Sequence, residues 1–597
     1  MGKQQSHIQT SLCDTPYQGQ SLGEEVSFRL LELQSGQPGS RIVVRLLTVD
    51  ISNAPSYEAL SYTWGDVTEV EEIEVITTTA EESKSAPLNV TTSCAAALRR
   101  LRSSISPRTL WIDFICINQS DVPERNHQLA LMPRIYNGAS RVVVYLGESS
   151  ESESSDAVML WLQDIHSPSE PANAPPIPHS DTIRAFLNRR WFTRVWVIQE
   201  VRLAKDVTVI CGDKEVPWDA FRMLRDIFNN KRREQPLPYT VQSLVPRECN
   251  RYSWRPSYVT RLFETLRHTR DFGATDPRDK LYAILPLLDW ESRQFLKNNS
   301  EAHFESAEEA GFAVAKGGYS LSTAQLFTGL AQDLIRSLGL NVLRTVIAPS
   351  KVPDLPTWAT DWSATGLRRF RGRHLGRGYR PRAHDGLSPV AYYGFSDYST
   401  SEGKQNTQLH VRAAPIGMIV KLGELCDVYN DILPLWQWRS LCDPAHVVAV
   451  SSTDEDGSER KVSPFTRVLF GPRIVYFSAV RRAAKKIKEF KSAQASTAER
   501  RPMKELFYGM PPSYEAQAEA IFHNCHGRRL FITDRGQLGL APHSSSVGDQ
   551  VMSIAGADMP FVMRSLGGEP GLVTLIGSCD PMQLLESQGE HEDMIIR

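Results

Sequence analysis

The sequence predicts an α/β protein: a mostly parallel sheet flanked by helices, followed by a helical region and a small β-rich C-terminal module. Three observations carry this. From Tyr57 onward, short apolar runs alternate with helical patterns, the rhythm of a sheet covered by helices. From Arg528 onward, short β-prone runs are separated by Gly and Pro turns. The 597 residues, 41% hydrophobic and 23% charged, have an ordinary globular composition and a length for several domains, which excludes wholesale disorder.

Taken in order, residues 1–25 read as a disordered tail. Phe28 to Leu33 and Ile42 to Val49 are β-prone runs joined by the turn cluster SGQPGS, a hairpin signal. The alternating stretch begins with YEALSY, a helix from about Thr92 to Leu101, and LWIDFICI as a strand. A helix follows with Leu129, Met132, Ile135 and Tyr136 on one face, then the strand RVVVYL, a helix around Trp191 to Ala204, and the strand VTVIC. Asp276-Pro277-Arg278-Asp279 reads as a helix start with Asp276 as N-cap and Pro277 at the first position. The α/β domain then spans 26–290. Residues 291–500 read as a variable helical and loop region holding an amphipathic helix from Leu321 to Leu340. Its arginine-rich 368–382 and Ser-rich 451–463 segments read as linkers. Residues 501–597 form the β module.

Composition narrows the function classes. Lys+Arg 67 against Asp+Glu 69 gives a net charge of -2, which argues against a nucleic-acid coat. The arginines of 368–382, interleaved with Phe370 and Tyr379, and RRAAKKIKEFK at 481–491 read as solvated surface. Nine scattered cysteines without a CxxC pair suit a reducing compartment. His523, Cys525 and His526 lack a fourth ligand at zinc spacing, so no metal is expected. No apolar run approaches the ~20 residues of a membrane span. The N-terminal MGKQQS fits the myristoylation pattern at Gly2, with Ser6 in register and Cys13 nearby; the expected location is cytoplasmic, with membrane association left open. The GxxxxGK[ST], GxSxG and HExxH motifs are absent.

In a parallel sheet, ligands sit beyond the carboxyl ends of the strands. Three loops are expected there, beginning at Trp64-Gly65-Asp66, Asn118-Gln119 and Gly147-Glu148. Asp113, inside LWIDFICI on the side of Trp111 and Ile115, is expected to accept bonds from loop amides. In RRWFTRVWVIQEV, Trp196 and Glu200 stand four apart on one helix face. Glu200 has no basic residue at i±3 or i±4, so burial would perturb its titration.

YEALSYTWGD (57–66), LWIDFICINQ (110–119), ERNHQLALMPRIYNGASRVVVYLGE (124–148) and RRWFTRVWVIQEV (189–201) closely resemble the blocks of the fungal heterokaryon incompatibility (HET) domain. RDFGATDPRDKLYAILPL (270–287) and LPTWATDWS (355–363) resemble segments that follow it. The resemblance implies a role in fungal nonself recognition, in which fusion of unlike cells triggers death, and the family is similar to TIR domains. ALSY, LWID and RVVVYLGES then look like TIR strands, and Trp196 to Glu200 like the W-x-x-x-E helix carrying the catalytic glutamate of NAD-cleaving TIR enzymes. On this likeness Glu200 is the catalytic residue, NAD is the substrate with no other cofactor, and Trp64, Gly65, Asp66, Asn118 and Trp196 line the binding site. Nicotinamide leaves as a neutral base, so one carboxylate beside the oxocarbenium-like centre could suffice. The competing reading leaves the tryptophans in the core, Glu200 on buried amides, and the protein a non-enzymatic scaffold. Expected partners are further copies of the chain or an incompatibility partner protein.

Overall fold

The computed structural model describes residues 16–17, 22, 26–78, 83–167, 175–230, 239–244, 257–289, 318–364, 393–399, 405–427, 434–443, 450–453, 459–462, 525–567, 570–581 and 591–597. Gly2, Ser6, Cys13, the arginines of 368–382, the basic run 481–491 and His523 lie outside the described residues. The chain divides into two compact units, 1–251 with 272–304, and 252–271 with 305–597.

The first unit is built on a nine-stranded sheet. Its elements are β1 (Ser27–Leu33), β2 (Val43–Asp50), β3 (Glu58–Tyr62), β4 (Val70–Thr78), β5 (Ser83–Thr91), α1 (Thr92–Leu101), β6 (Arg108–Trp111), α2 (Asp113–Cys116) and α3 (Val122–Gly138). They continue with β7 (Arg141–Tyr145), α4 (Ser155–His166), α5 (Ser180–Leu187), α6 (Val197–Arg202), β8 (Val207–Cys211), β9 (Lys214–Pro217), α7 (Asp219–Asn230) and α8 (Tyr239–Leu244). The strand order is β5-β4-β2-β1-β6-β3-β7-β8-β9. The centre β6-β3-β7-β8 is parallel, as the continuous apolar runs EALSY and RVVVY anticipate for strands covered on both faces. At the flanks, β1 and β2 form the expected hairpin and further antiparallel pairings join it. β1 runs antiparallel to both β2 and β6, and the hairpins β4–β5 and β8–β9 close the edges, so the sheet is mixed.

Local chemistry explains the element ends. Thr91 caps α1 by accepting from the Cys94 N–H at 3.2 Å, and Asp121 caps α3 by accepting from Glu124 N–H at 3.1 Å. Two expectations fail in instructive ways. LWIDFICI is not one strand: β6 stops at Trp111, because the Asp113 carboxylate accepts from the Phe114 N–H at 2.7 Å and turns the chain into the single helical turn α2. Asp113 therefore does not share a strand face with Ile115. Near 276, the helix α10 (Asp279–Tyr282) starts two residues late, with Arg278 in place of Asp276 at its N-cap; its predecessor α9 (Tyr258–Thr269) belongs to the second unit. Asp276 instead accepts from the Arg278 N–H at 3.0 Å and pairs with its guanidinium.

In the second unit, Thr323–Leu338 forms the expected amphipathic helix, opened by a capping box of Ser322 and Gln325. The β architecture begins earlier than the sequence suggests. β10 (Tyr393–Ser399) pairs with β11 (Gln405–Cys426), a 22-residue strand in a stretch expected to hold helix and loop. β12 (Val450–Thr453) and β13 (Glu459–Val462) form a hairpin inside the expected Ser-rich linker. β14 (Arg528–Thr533), β15 (Leu538–Pro542), β16 (Gln550–Ile554), β17 (Pro560–Ser565), β18 (Leu572–Ser578), β19 (Asp580–Pro581) and β20 (Glu592–Ile596) complete the unit. β11 pairs with both β20 and β16, which closes the circuit β16-β17-β18-β20-β11 into a barrel. Ile416, Ile419, Phe531, Val551, Val562 and Ile576 pack as one buried core. Arg270, just past α9, donates to the carbonyls of Thr345 and Asp361 at 2.8 Å; burial lowers its pKa to about 10.

Among the described residues, no helix is long and apolar enough to cross a membrane.

Candidate active site at the carboxyl edge of the first sheet

The chain passes from β3 to β6 on one side and then, through α3, to β7 on the other. At this reversal the carboxyl ends of β6, β3 and β7 lie side by side and the Trp64, Asn118 and Gly147 loops emerge, the position where ligands sit in open α/β sheets. Below them sits Glu200, on α6 and 2% exposed.

Glu200 is reached by a relay of buried groups. The Trp191 indole N–H donates to Ser61 Oγ at 2.8 Å, and the Ser61 hydroxyl donates to Glu200 Oε2. Burial pushes the Glu200 carboxyl up to about 7, against the opposing pull of the Arg194 charge and the Ser61 bond; the Asp113 charge adds to the rise. Arg194 donates to the Tyr62 carbonyl. Its charge also favours ionised Asp113, whose pKa burial nevertheless raises. Tyr136 of α3 donates to the Leu60 carbonyl at 3.3 Å, and burial beside Glu200 and Asp113 raises its pKa strongly.

A bridge from the distal part of the unit fixes α6. Val195 N–H donates to the Gly273 carbonyl at 2.9 Å, and the Trp196 indole donates to Asp279 Oδ2 at 3.1 Å. The segment 273–279 thus braces the helix that carries Glu200.

The expected binding residues have these partners. Trp64 donates to Asp113 Oδ2 at 2.9 Å and meets Phe114 edge-on at 5.1 Å, so it covers Asp113. Gly65 has φ +78°, which suits glycine, and a Cβ there would lie 3.2 Å from Ser93 Cβ. Asp66 is exposed and accepts from the Thr68 N–H and hydroxyl at 2.9 and 2.7 Å, bonds that hold its pKa below the usual range. Asn118 accepts from the Ser120 hydroxyl at 2.7 Å, while its own N–H donates to Glu124 at 2.7 Å. Glu124 is paired with the buried Arg29 through two bonds of 2.6 and 2.9 Å. Arg189 holds the third loop by donating to the Leu146 and Glu148 carbonyls at 3.1 and 3.0 Å.

The structure therefore gathers Glu200 and Asp113 near Arg194, with Trp64 bonded to Asp113, whereas the Trp196 indole is engaged by Asp279 and the Asp66 carboxylate by its own turn. Ser61, Trp191, Arg194 and Tyr136 were missed by sequence reasoning. A serine inside the apolar run EALSY was the signal for the first; Arg194, six positions before Glu200, lies beyond the helical pairing that was considered. Among the described residues, no group of His, Cys, Asp or Glu could hold a metal ion.

Residues 57–200, which run from the start of β3 to Glu200, match the family model "Heterokaryon incompatibility protein (HET)". Residues 474–588 match "Het-6 beta-barrel domain". Two separate stretches of the chain are thus similar to a HET domain and to a C-terminal Het-6 barrel. It is 26% identical to Heterokaryon incompatibility protein 6, OR allele, of Neurospora crassa, with 88% of each chain covered. No solved structure matches the chain.

Proposed function

We propose that this protein acts in the cytoplasm in fungal nonself recognition, and that its HET domain drives cell death by cleaving the nicotinamide N-glycosidic bond of NAD with Glu200. One observation carries the reading: a buried carboxyl, pushed up to about 7 by its burial and bonded to Ser61 of β3, lies in the last turn of the matched HET segment. The W-x-x-x-E likeness to NAD-cleaving TIR enzymes points to the same residue. In the reaction, the C1′–N bond breaks, nicotinamide leaves with the bonding pair as a neutral base, and water adds to C1′, releasing a proton. The ionised Glu200 stabilises the positive sugar centre and orients the ribose hydroxyls. Because the carboxyl is 2% exposed, the elements around it must move to admit a ribose.

A second reading has its own support. The closure of Glu200 by Ser61 and the neighbouring Arg194 charge suits a structural acid in a scaffold that works by self-association or through an incompatibility partner. The two readings part in fungal cells expressing the full chain. Wild type should deplete cellular NAD before death and Glu200→Gln should do neither. Death at undiminished NAD with the Gln variant supports the scaffold instead.

A further inference from the structure

Two arginines converge on the segment that leaves β3. Arg190 opens the 3-10 turn Arg190–Thr193, and Arg194 follows that turn. Arg194 donates to the carbonyl of Tyr62, the last residue of the strand. Arg190 is exposed and lies near Asp66, where its charge helps to hold that carboxyl below the usual range. Among the described residues neither guanidinium forms an ion pair with a carboxylate. Their neighbour Arg189 is the contrast, since Glu153 and the Leu146 and Glu148 carbonyls take up its donors. Asp66 is occupied by Thr68, and the two carboxyls that feel the Arg194 charge, Glu200 and Asp113, are shifted by burial toward their protonated forms.

The backbone here also suits an anion. Gly65, at φ +78°, puts no side chain on the loop. The N-terminus of the ten-residue helix α1 adjoins the same loop, because the Ser93 hydroxyl donates to the Thr63 carbonyl at 2.6 Å. The positive end of the helix dipole therefore lies beside it. A guanidinium held by one carbonyl keeps further donors, in the fork that fits a phosphate.

We propose that Arg190 and Arg194 form a phosphate-binding site at the carboxyl end of β3, which takes the pyrophosphate of a dinucleotide. The choice of a dinucleotide rests on the reading of Glu200 as an NAD-cleaving residue; the preference for a phosphate does not.

The test measures binding of ADP-ribose, inorganic pyrophosphate and adenosine to the purified full chain at low salt, in monomeric and enforced oligomeric preparations. Arg190→Gln and Arg194→Gln should each weaken ADP-ribose and pyrophosphate about tenfold and leave adenosine unchanged. Arg194→Lys keeps the charge but loses the fork, and should fall between wild type and Arg194→Gln. Arg190 makes no side-chain hydrogen bond among the described residues, so its variant tests the site even if Arg194→Gln does not fold. Wild-type binding of neither phosphate ligand, or equal binding by wild type and Arg190→Gln, would overturn the site. If both ligands bind through the arginines while no nicotinamide is released from NAD, the site stands and the NAD-cleaving reading fails. Nicotinamide release with ADP-ribose binding unaltered in the arginine variants would leave that reading standing and remove the site.

Discussion

Ser61 and Glu200, 139 positions apart, meet in the buried interior of the first unit, where one hydroxyl serves two partners: it donates to the carboxylate and accepts from the Trp191 indole. A strand, a 3-10 turn and a short helix are thereby tied at one oxygen. Ser61→Ala strips a buried N–H of its acceptor and a buried carboxyl of its donor, which should cost about 2–4 kcal/mol in urea unfolding. It should also move the Glu200 pKa further upward, since the lost bond favoured the ionised form. A change in stability below about 1 kcal/mol would mean that the relay is not formed.

Glu200 makes stability depend on pH with a definite sign. Its folded pKa of about 7 exceeds the ordinary 4.5, so between these values the native state keeps a proton that the unfolded chain has lost. Stability contributed by this group is full below pH 4.5, falls as pH rises to about 7, and is flat beyond. Glu200→Gln lacks the penalty and should match wild type near pH 4.5 but exceed it at pH 8, by at most on the order of 3 kcal/mol. A Tm difference independent of pH would refute this.

Gln199 offers a contrasting test one residue away. It is fully buried and neither polar atom of its carboxamide has a hydrogen-bond partner among the described residues. Gln199→Leu removes two unsatisfied groups at similar volume and should raise stability by about 1–2 kcal/mol. Thermal unfolding that moves downward instead would show that the amide is satisfied, for example by an internal water.

Trp196 was expected to stack on a ligand, yet its indole is bonded to Asp279. Trp196→Phe should therefore lower stability by about 1 kcal/mol through that lost bond and leave the incompatibility response intact. If the response disappears while the fold is retained, Trp196 is a ligand contact after all.

The legible parts of this protein were those set by short-range pattern. Continuous apolar runs announced β3 and β7, and apolar periodicity announced the helices at Thr92–Leu101 and Thr323–Leu338. The parallel centre followed from the alternation of strand and helix. What failed depended on partners far away or on competition at one residue. Asp113 turned an apolar run into a helical turn by capturing a neighbouring amide, which hydrophobicity alone does not register. β11 was hidden because its stretch contains Pro415 and two glycines, Gly417 and Gly423, which read as breakers, although its pairing with four other strands tolerates them through bulges. Glu200 was found from the absence of local cations, but Arg194 and Ser61 reach it only through the fold.

The central claim is that the Glu200 carboxyl is the functional group of the HET domain. Release of nicotinamide from NAD by the purified full chain, followed in monomeric and enforced oligomeric preparations, tests it most directly when Glu200→Gln is carried alongside. The account predicts nicotinamide from wild type and none from the Gln variant, even though that variant is folded and at pH 8 the more stable of the two. Equal release from both proteins, or no release from wild type in either state, would contradict it.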